Sequence, residues 1–254
     1  VSDGPDAILE FVIIDESDDY IVIDKPAPLI VHPSNGRIEP TLLCGLERLL
    51  AFEIANGKKP AIITRLDRET SGLVLVAKHT QAARELAMSL QNREAEKSYI
   101  AIVHGWPEWD DHEIDAPIIR KGLVEPSAIW LKRTVHTSGR ESFTKFHVEQ
   151  RFENQQEKFS IIACEPITGR THQIRVHLSH LGHPIIGDKI YGADENTFLS
   201  FIEHGWSDEM RKKMLLPRQA LHAHRLKIPW NETFKEWQCP IAKDMLQFIE
   251  GSTL

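Results

Sequence analysis

The chain has 254 residues, 41% of them hydrophobic and 26% charged, and a formal net charge of −7. Those proportions are ordinary for a soluble globular protein with enough length for a large core. No apolar run is long enough to span a bilayer as a helix, and no basic-then-apolar leader opens the sequence, so a cytoplasmic protein is expected. A first residue of Val1 points to a start further upstream. Cys44, Cys164 and Cys239 are scattered without metal or disulfide spacing and read as reduced, mostly buried thiols. Net acidity weighs against a nucleic-acid partner. The cations are clustered, however, at Arg65, Arg68 and Lys78, at Arg170, His172, Arg175 and His177, and at Arg218, His222, His224 and Arg225. A local basic groove on an acidic body stays compatible with RNA.

In chain order, Phe11 to Ile14 and Tyr20 to Ile23 read as a hairpin around an acidic turn. Leu29 to Val31 resumes the strand pattern after a Pro-rich break, and Pro33 to Pro40 reads as a polar loop. Thr41 is placed to cap a helix with a stripe of Leu42, Leu43, Leu46, Leu49 and Leu50. Leu73 to Val76 is a buried strand, and Thr80 is expected to cap a helix in which Ala83, Leu86, Ala87 and Leu90 share a face. Lys97 to His104 alternates as a strand. The segment from Glu113 to Cys164 is strand-rich. Thr171 to Leu181 fits both periods, with the helix favoured because Gly182 would end it. Glu195 to Lys213 reads as an amphipathic helix, Leu221 to Ile228 and Thr233 to Trp237 as paired strands, and Ile241 to Ile249 as a closing helix. Strands in runs with helices between them predict one α+β domain, residues 1–254, with a mixed, mostly antiparallel sheet flanked by helices.

The segment Thr64-Arg65-Leu66-Asp67-Arg68-Glu69-Thr70-Ser71-Gly72 sets a carboxylate between two arginines at the mouth of the apolar strand. Guanidinium neighbours would keep Asp67 ionised even where water is scarce. Alone, the pattern fits a surface ion pair as well as a nucleophile. Three further segments are unusually polar for their setting: His32-Pro33-Ser34-Asn35-Gly36, Lys97-Ser98-Tyr99, and Gly169-Arg170-Thr171-His172-Gln173-Ile174-Arg175-Val176-His177, with Gly182 to Gly192 close behind. Glycines that let backbone approach a ligand, set beside several cations, suit a phosphate or an anionic intermediate.

Taken together, VHPSNG, RLDRETSG, KSYIAIVHG, GRTHQIRVHLSHLGHPIIGDKIYG and RQALHAHRL resemble the RluA family of pseudouridine synthases, in the family's order and over nearly the whole chain. The resemblance implies isomerisation of selected uridines in structured RNA, with large-subunit ribosomal RNA preferred over transfer RNA, in a central RNA-binding cleft. Asp67 matches the catalytic aspartate, Tyr99 the tyrosine that packs on the base, and Arg175 the arginine that pairs with the aspartate. Arg65 matches the arginine that helps hold the target nucleotide out of its helix. Arg68, Lys97, Arg170, His172 and Gln173 are expected to join Arg65 against RNA. Thr64 departs from the histidine usual at that position, which puts in question how RNA is held nearby. The small N-terminal RNA-binding domain of some members is not expected, and a monomer is.

The chemistry stands beside the resemblance. A stacked base must be flipped out at a cost of roughly a few kcal/mol, and a carboxylate can stabilise or trap the positive character that develops at C1′. The leaving base must return, so one carboxylate in a dry pocket suffices, and neither metal nor organic cofactor is expected. His177, His180 and His183 are spaced three apart but lack the usual cysteine or carboxylate partners of zinc. The rival readings are a catalytically silent RNA-binding module and a nucleoside or sugar hydrolase, for which Asp188 would be the second carboxylate.

Overall fold

The computed structural model of the protein describes residues 12–31 and 41–251. Contacts divide these into two compact units. One takes the residues up to Lys97 together with Ala223–Pro240; the other takes Ser98–His222 and the described residues from Ile241 onward.

In the first unit the acidic hairpin forms as expected. β1 (Val12–Glu16) pairs antiparallel with β2 (Tyr20–Lys25), and the Ser17 hydroxyl accepts the N–H groups of Asp19 and Tyr20 to close the turn. Leu29 to Val31 does not form a regular strand; Ile30 makes only an isolated parallel bridge to Thr41. The expected polar loop and its His32-Pro33-Ser34-Asn35-Gly36 motif lie outside the described residues. Thr41 does cap α1 (Leu42–Leu49), its hydroxyl accepting from Cys44 N at 3.2 Å. Leu42, Leu46 and Leu50 are buried, but Leu49 turns outward. α2 (Ala51–Ala55), β3 (Ala61–Ile62), β4 (Ser71–Ala77) and α3 (Thr80–Gln91) follow. α3 is capped by His79 rather than Thr80. Asp19 sits 2.9 Å from Nε2 of that ring, which leaves Nδ1 to accept the Ala82 N–H.

The second unit holds β5 (Glu96–His104), β6 (Asp111–Asp115), β7 (Ile118–Arg120), β8 (Arg133–Val135), β9 (Phe143–Asn154) and β10 (Glu157–Pro166). Its strands run in the order β5-β10-β9-β6, antiparallel throughout, with β7 and β8 forming a separate ribbon. The ambiguous segment is the helix α4 (Gln173–His180), whose Ile174 and Leu178 are buried. Gly182 turns the chain at φ +84°, as the helix reading requires. The stretch expected as one helix is two, α5 (Glu195–His204) and α6 (Asp208–Met214): Gly205 takes φ +76° and Ser207 caps anew. Ile102, Ile162, Leu178, Ile186 and Met245 centre this unit's core.

The chain then returns to the first unit with β11 (Leu221–Trp230) and β12 (Thr233–Gln238), paired as expected. The closing helix α7 (Lys243–Ile249) belongs to the second unit. Strand order in the first unit is β1-β2-β4-β11, with β3 on β4 and β12 on β11. Tyr20 packs edge-on to Trp230 and Trp237 at its core. Asp15 accepts hydrogen bonds from Tyr20 Oη and Trp237 Nε1; burial and that carboxylate push the phenol up to about 12. The class is the expected α+β with mostly antiparallel strands. Among the described residues no helix is long and apolar enough to cross a membrane.

Candidate active site

In the first unit, Asp67 lies in the connection from β3 to β4. It is half-buried, the preceding Leu66 is buried, and Arg65 and Arg68 are exposed. Backbone contacts hold the turn. Thr70 N–H donates to Asp67 O at 3.1 Å, and Leu29 N–H donates to Arg68 O at 2.9 Å. Lys25, at the end of β2, is fully buried and donates Nζ to the carbonyls of Pro26, Leu29 and Arg68 at 2.9, 3.0 and 3.2 Å. A buried ammonium must find acceptors, and these carbonyls fix the β2 end, the 29–31 segment and the Asp67 turn at one point. Sequence reasoning passed over this lysine. Its signal was a charge ending an apolar strand just before Pro26-Ala27-Pro28.

Thr64 has a local explanation. Its hydroxyl accepts Leu75 N–H at 2.9 Å and its own N–H donates to Leu75 O at 3.3 Å, tying the turn's entry to β4. Gly72 ends the turn for a steric reason. At φ +109°, a β-carbon there would stand 2.6 Å from Ala223 N and collide with Ala223 O on β11, so only glycine fits. Lys97, at the edge of this unit, is partly buried, and burial alone pulls its ammonium pKa down.

In the second unit, Tyr99 is half-buried on β5 opposite Cys164 and packs against that unit's core. Arg175 is buried on α4. It donates Nε to Asp188 Oδ2 at 2.7 Å and a terminal nitrogen to Asp188 Oδ1 at 2.9 Å, a bidentate pair. Asp188 also accepts the N–H groups of Ile190 and Tyr191 at 3.0 and 3.1 Å. Burial opposes its ionisation, but the Arg175 charge and these hydrogen bonds win and hold its pKa below the ordinary value. With both oxygens occupied and no exposure, Asp188 is poorly suited to activate water, which disfavours the hydrolase reading.

His172, at φ +60° just ahead of α4, sits 2.8 Å from Tyr191 Oη through Nδ1. The Tyr191 ring lies 5.0 Å from the Arg175 guanidinium. Arg170 is half-buried and donates Nε to Glu141 O at 2.9 Å. Gln173, expected to contact RNA, is buried and spends its amide within the protein. Oε1 accepts from Thr168 Oγ1 and Arg170 N, and Nε2 donates to Phe143 O and Thr144 Oγ1. That fills the two donor and two acceptor positions of a glutamine amide, so its part is to lock the loop. The chain of bonds continues from Thr144 Oγ1 to His177 Nδ1 at 2.8 Å and from His177 Nε2 to Ala116 O at 2.9 Å. Burial pulls the His177 pKa down and keeps the ring neutral. Both of its nitrogens serve α4, not a metal.

The profile of the RNA pseudouridylate synthases matches residues 19–180. This chain belongs to that family. Within it the chain is of the RluA type, a pseudouridine synthase and hence an isomerase. It is 36% identical over 240 residues to an uncharacterised RNA pseudouridine synthase of Bacillus subtilis, covering 93% of this chain and 71% of that one. It is equally 36% identical to ribosomal large subunit pseudouridine synthase D of Pseudomonas aeruginosa, covering 95% and 71%, and of Nitrosomonas europaea, covering 94% and 64%. Among solved structures, human RNA pseudouridylate synthase domain containing 1 aligns with a TM-score of 0.70 at 25% identity, over 93% of this chain and 86% of that one.

Proposed function

We propose that this pseudouridine synthase isomerises uridines of large-subunit ribosomal RNA, in preference to transfer RNA, by a mechanism centred on Asp67. The target nucleotide is flipped from its helix, with Arg65 holding the vacated position and Arg68, Lys97, Arg170 and His172 contributing to RNA contact. The Asp67 carboxylate stabilises or traps C1′ as the bond to N1 breaks, and the freed base turns within a water-poor pocket. C5 then bonds to C1′, and Tyr99, packed on the base, helps remove the C5 proton. Arg175 orients and balances the charge of the aspartate. The scheme requires neither a metal nor an organic cofactor, and a monomer in the cytoplasm suffices for it.

The observation that carries this reading is the Thr64–Gly72 turn. A half-buried carboxylate sits on backbone fixed from three sides, by Lys25, by Thr64 and by the approach of β11 at Gly72. Such rigidity is what positioning a charge against a developing cation demands. The names of the large-subunit relatives support the choice of RNA.

The test uses unmodified large-subunit ribosomal RNA carrying tritium at uridine C5. Label should pass to water while the RNA chain stays intact, and Asp67→Asn should lower that rate by at least about 10³-fold, with RNA affinity kept within severalfold because phosphates carry most of the binding. Release of free uracil would mean a hydrolase. No change in the RNA, or undiminished turnover by Asp67→Asn, would overturn the assignment.

A further inference from the structure

We propose that the β7–β8 ribbon carries a second RNA contact, in which Arg120 and Arg133 grip a backbone phosphate and Trp130 stacks on an adjacent unpaired base. The choice of RNA as ligand rests on the pseudouridine synthase reading. The site itself rests on a charge imbalance in the ribbon.

Arg120 and Arg133 are directly opposite in the antiparallel register, so both side chains project from the same face. Like charges so placed destabilise a ribbon. The Nε atom of each is buried and has no hydrogen-bond partner, and among the described residues neither guanidinium has a carboxylate. The nearby acids are used otherwise. Glu125 faces Lys121 at 3.9 Å. Glu195, at the start of α5, lies 3.4 Å from both Lys121 and Lys132. It also accepts from Ser127 Oγ and Ala128 N, folding the loop between the two strands. The loop's carboxylates thus hold the loop and its lysines, and the two arginines remain uncompensated. Two planar forks side by side match a phosphate diester, which accepts bidentate hydrogen bonds from guanidinium.

Trp130 supplies the second half. The Arg120 guanidinium lies 3.7 Å from its ring centroid and so covers one face, yet the residue is 73% exposed. An indole backed by a cation and open on its other side is a platform for a base. The ribbon also adjoins the GRTHQIR segment: Arg133 N–H donates to Tyr191 Oη at 3.0 Å, and that hydroxyl meets His172 Nδ1 at 2.8 Å. A phosphate held there would lie beside the segment to which the RNA contacts of Arg170 and His172 are assigned.

Arg120→Gln with Arg133→Gln keeps the stems and removes the charge. Fluorescence anisotropy with a short labelled oligouridylate should show affinity about tenfold weaker and a salt slope shallower by about 0.7 for each phosphate no longer neutralised. KM for the tritiated ribosomal RNA should rise by a similar factor. Trp130→Ala should weaken oligouridylate about tenfold by loss of stacking. In the unaltered protein, photocrosslinking to an oligomer bearing 4-thiouridine should place adducts on the segment containing Trp130, a measurement indifferent to how well the variants fold. Unchanged affinity and salt slope in the double variant, or adducts confined to other segments, would overturn the proposal while leaving the enzyme assignment standing. Equal binding of polyglutamate would assign the ribbon to acidic protein instead. Weakened RNA binding by the arginine variants of a protein that forms no pseudouridine would uphold the ribbon and sink the enzymatic reading alone.

Discussion

Asp67 in the first unit and Asp188 in the second are both acids of motif segments, yet they are held in opposite ways. Asp188 is fully buried and saturated, with a bidentate arginine and two backbone N–H groups on its oxygens. Asp67 is only half-buried, and what is fixed around it is the main chain, through a buried lysine, a threonine and a glycine that admits no side chain. The first arrangement maximises stability of the acid itself. The second fixes where the acid stands and leaves it more accessible, which is the state a reacting group needs. Rigid backbone under an accessible carboxylate and saturated bonds around a buried one are two separate uses of the same residue type.

The contrast can be broken most severely at Asp188. Asp188→Asn removes the charge that the buried Arg175 guanidinium grips bidentately and should cost about 3–5 kcal/mol, read as a lower urea midpoint. Asp67→Asn should abolish turnover at a smaller cost to that midpoint, and equal stability losses in the two variants would erase the distinction. Gly72→Ala comes next, with about 2–3 kcal/mol expected from its collision with β11 and its positive φ; an unchanged melting temperature would mean the turn is not fixed by that contact.

His177 sharpens the comparison through pH. Its folded pKa is depressed, so below about 6.5 the unfolded chain takes up a proton that the folded one resists. Stability is therefore retained above that pH and falls as pH drops below it, by up to about 1.4 kcal/mol per unit. Thermal melts from pH 7 to pH 5 on the native protein and His177→Gln should differ in slope, and parallel curves would remove His177 from the account. The smallest effect is at Thr64: Thr64→Val loses one hydrogen bond to β4 and should cost about 1 kcal/mol, visible as a modest fall in melting temperature.

Much of the fold was legible in the sequence because periodic burial writes itself into residue order. The β1–β2 hairpin, the α1 cap, β5, α4 and the β11–β12 pair follow from apolar spacing with Ser, Thr and Gly at the ends. The errors lie where a side chain's partner is remote in sequence. His79 takes the α3 cap because Asp19, on another strand connection, orients its ring. Gln173 looked like an RNA contact for its setting among cations, but Thr144, Phe143 and Thr168 consume it. At the Asp67 turn the omission was Lys25, a buried cation some forty residues earlier whose bond to Arg68 O no local pattern announces. Neighbours along the chain are poor guides to neighbours across a core.

The close approach of Ala223 to Gly72 has a temporal consequence. Ala223 and the β11 residues after it follow residues Ser98–His222 of the second unit in synthesis, so a growing chain can display every residue of the RLDRETSG turn long before the strand that braces it has left the ribosome. The reactive acid acquires its final support only when the return leg docks, and premature termination anywhere before residue 223 would leave the motif spelled out but unbraced.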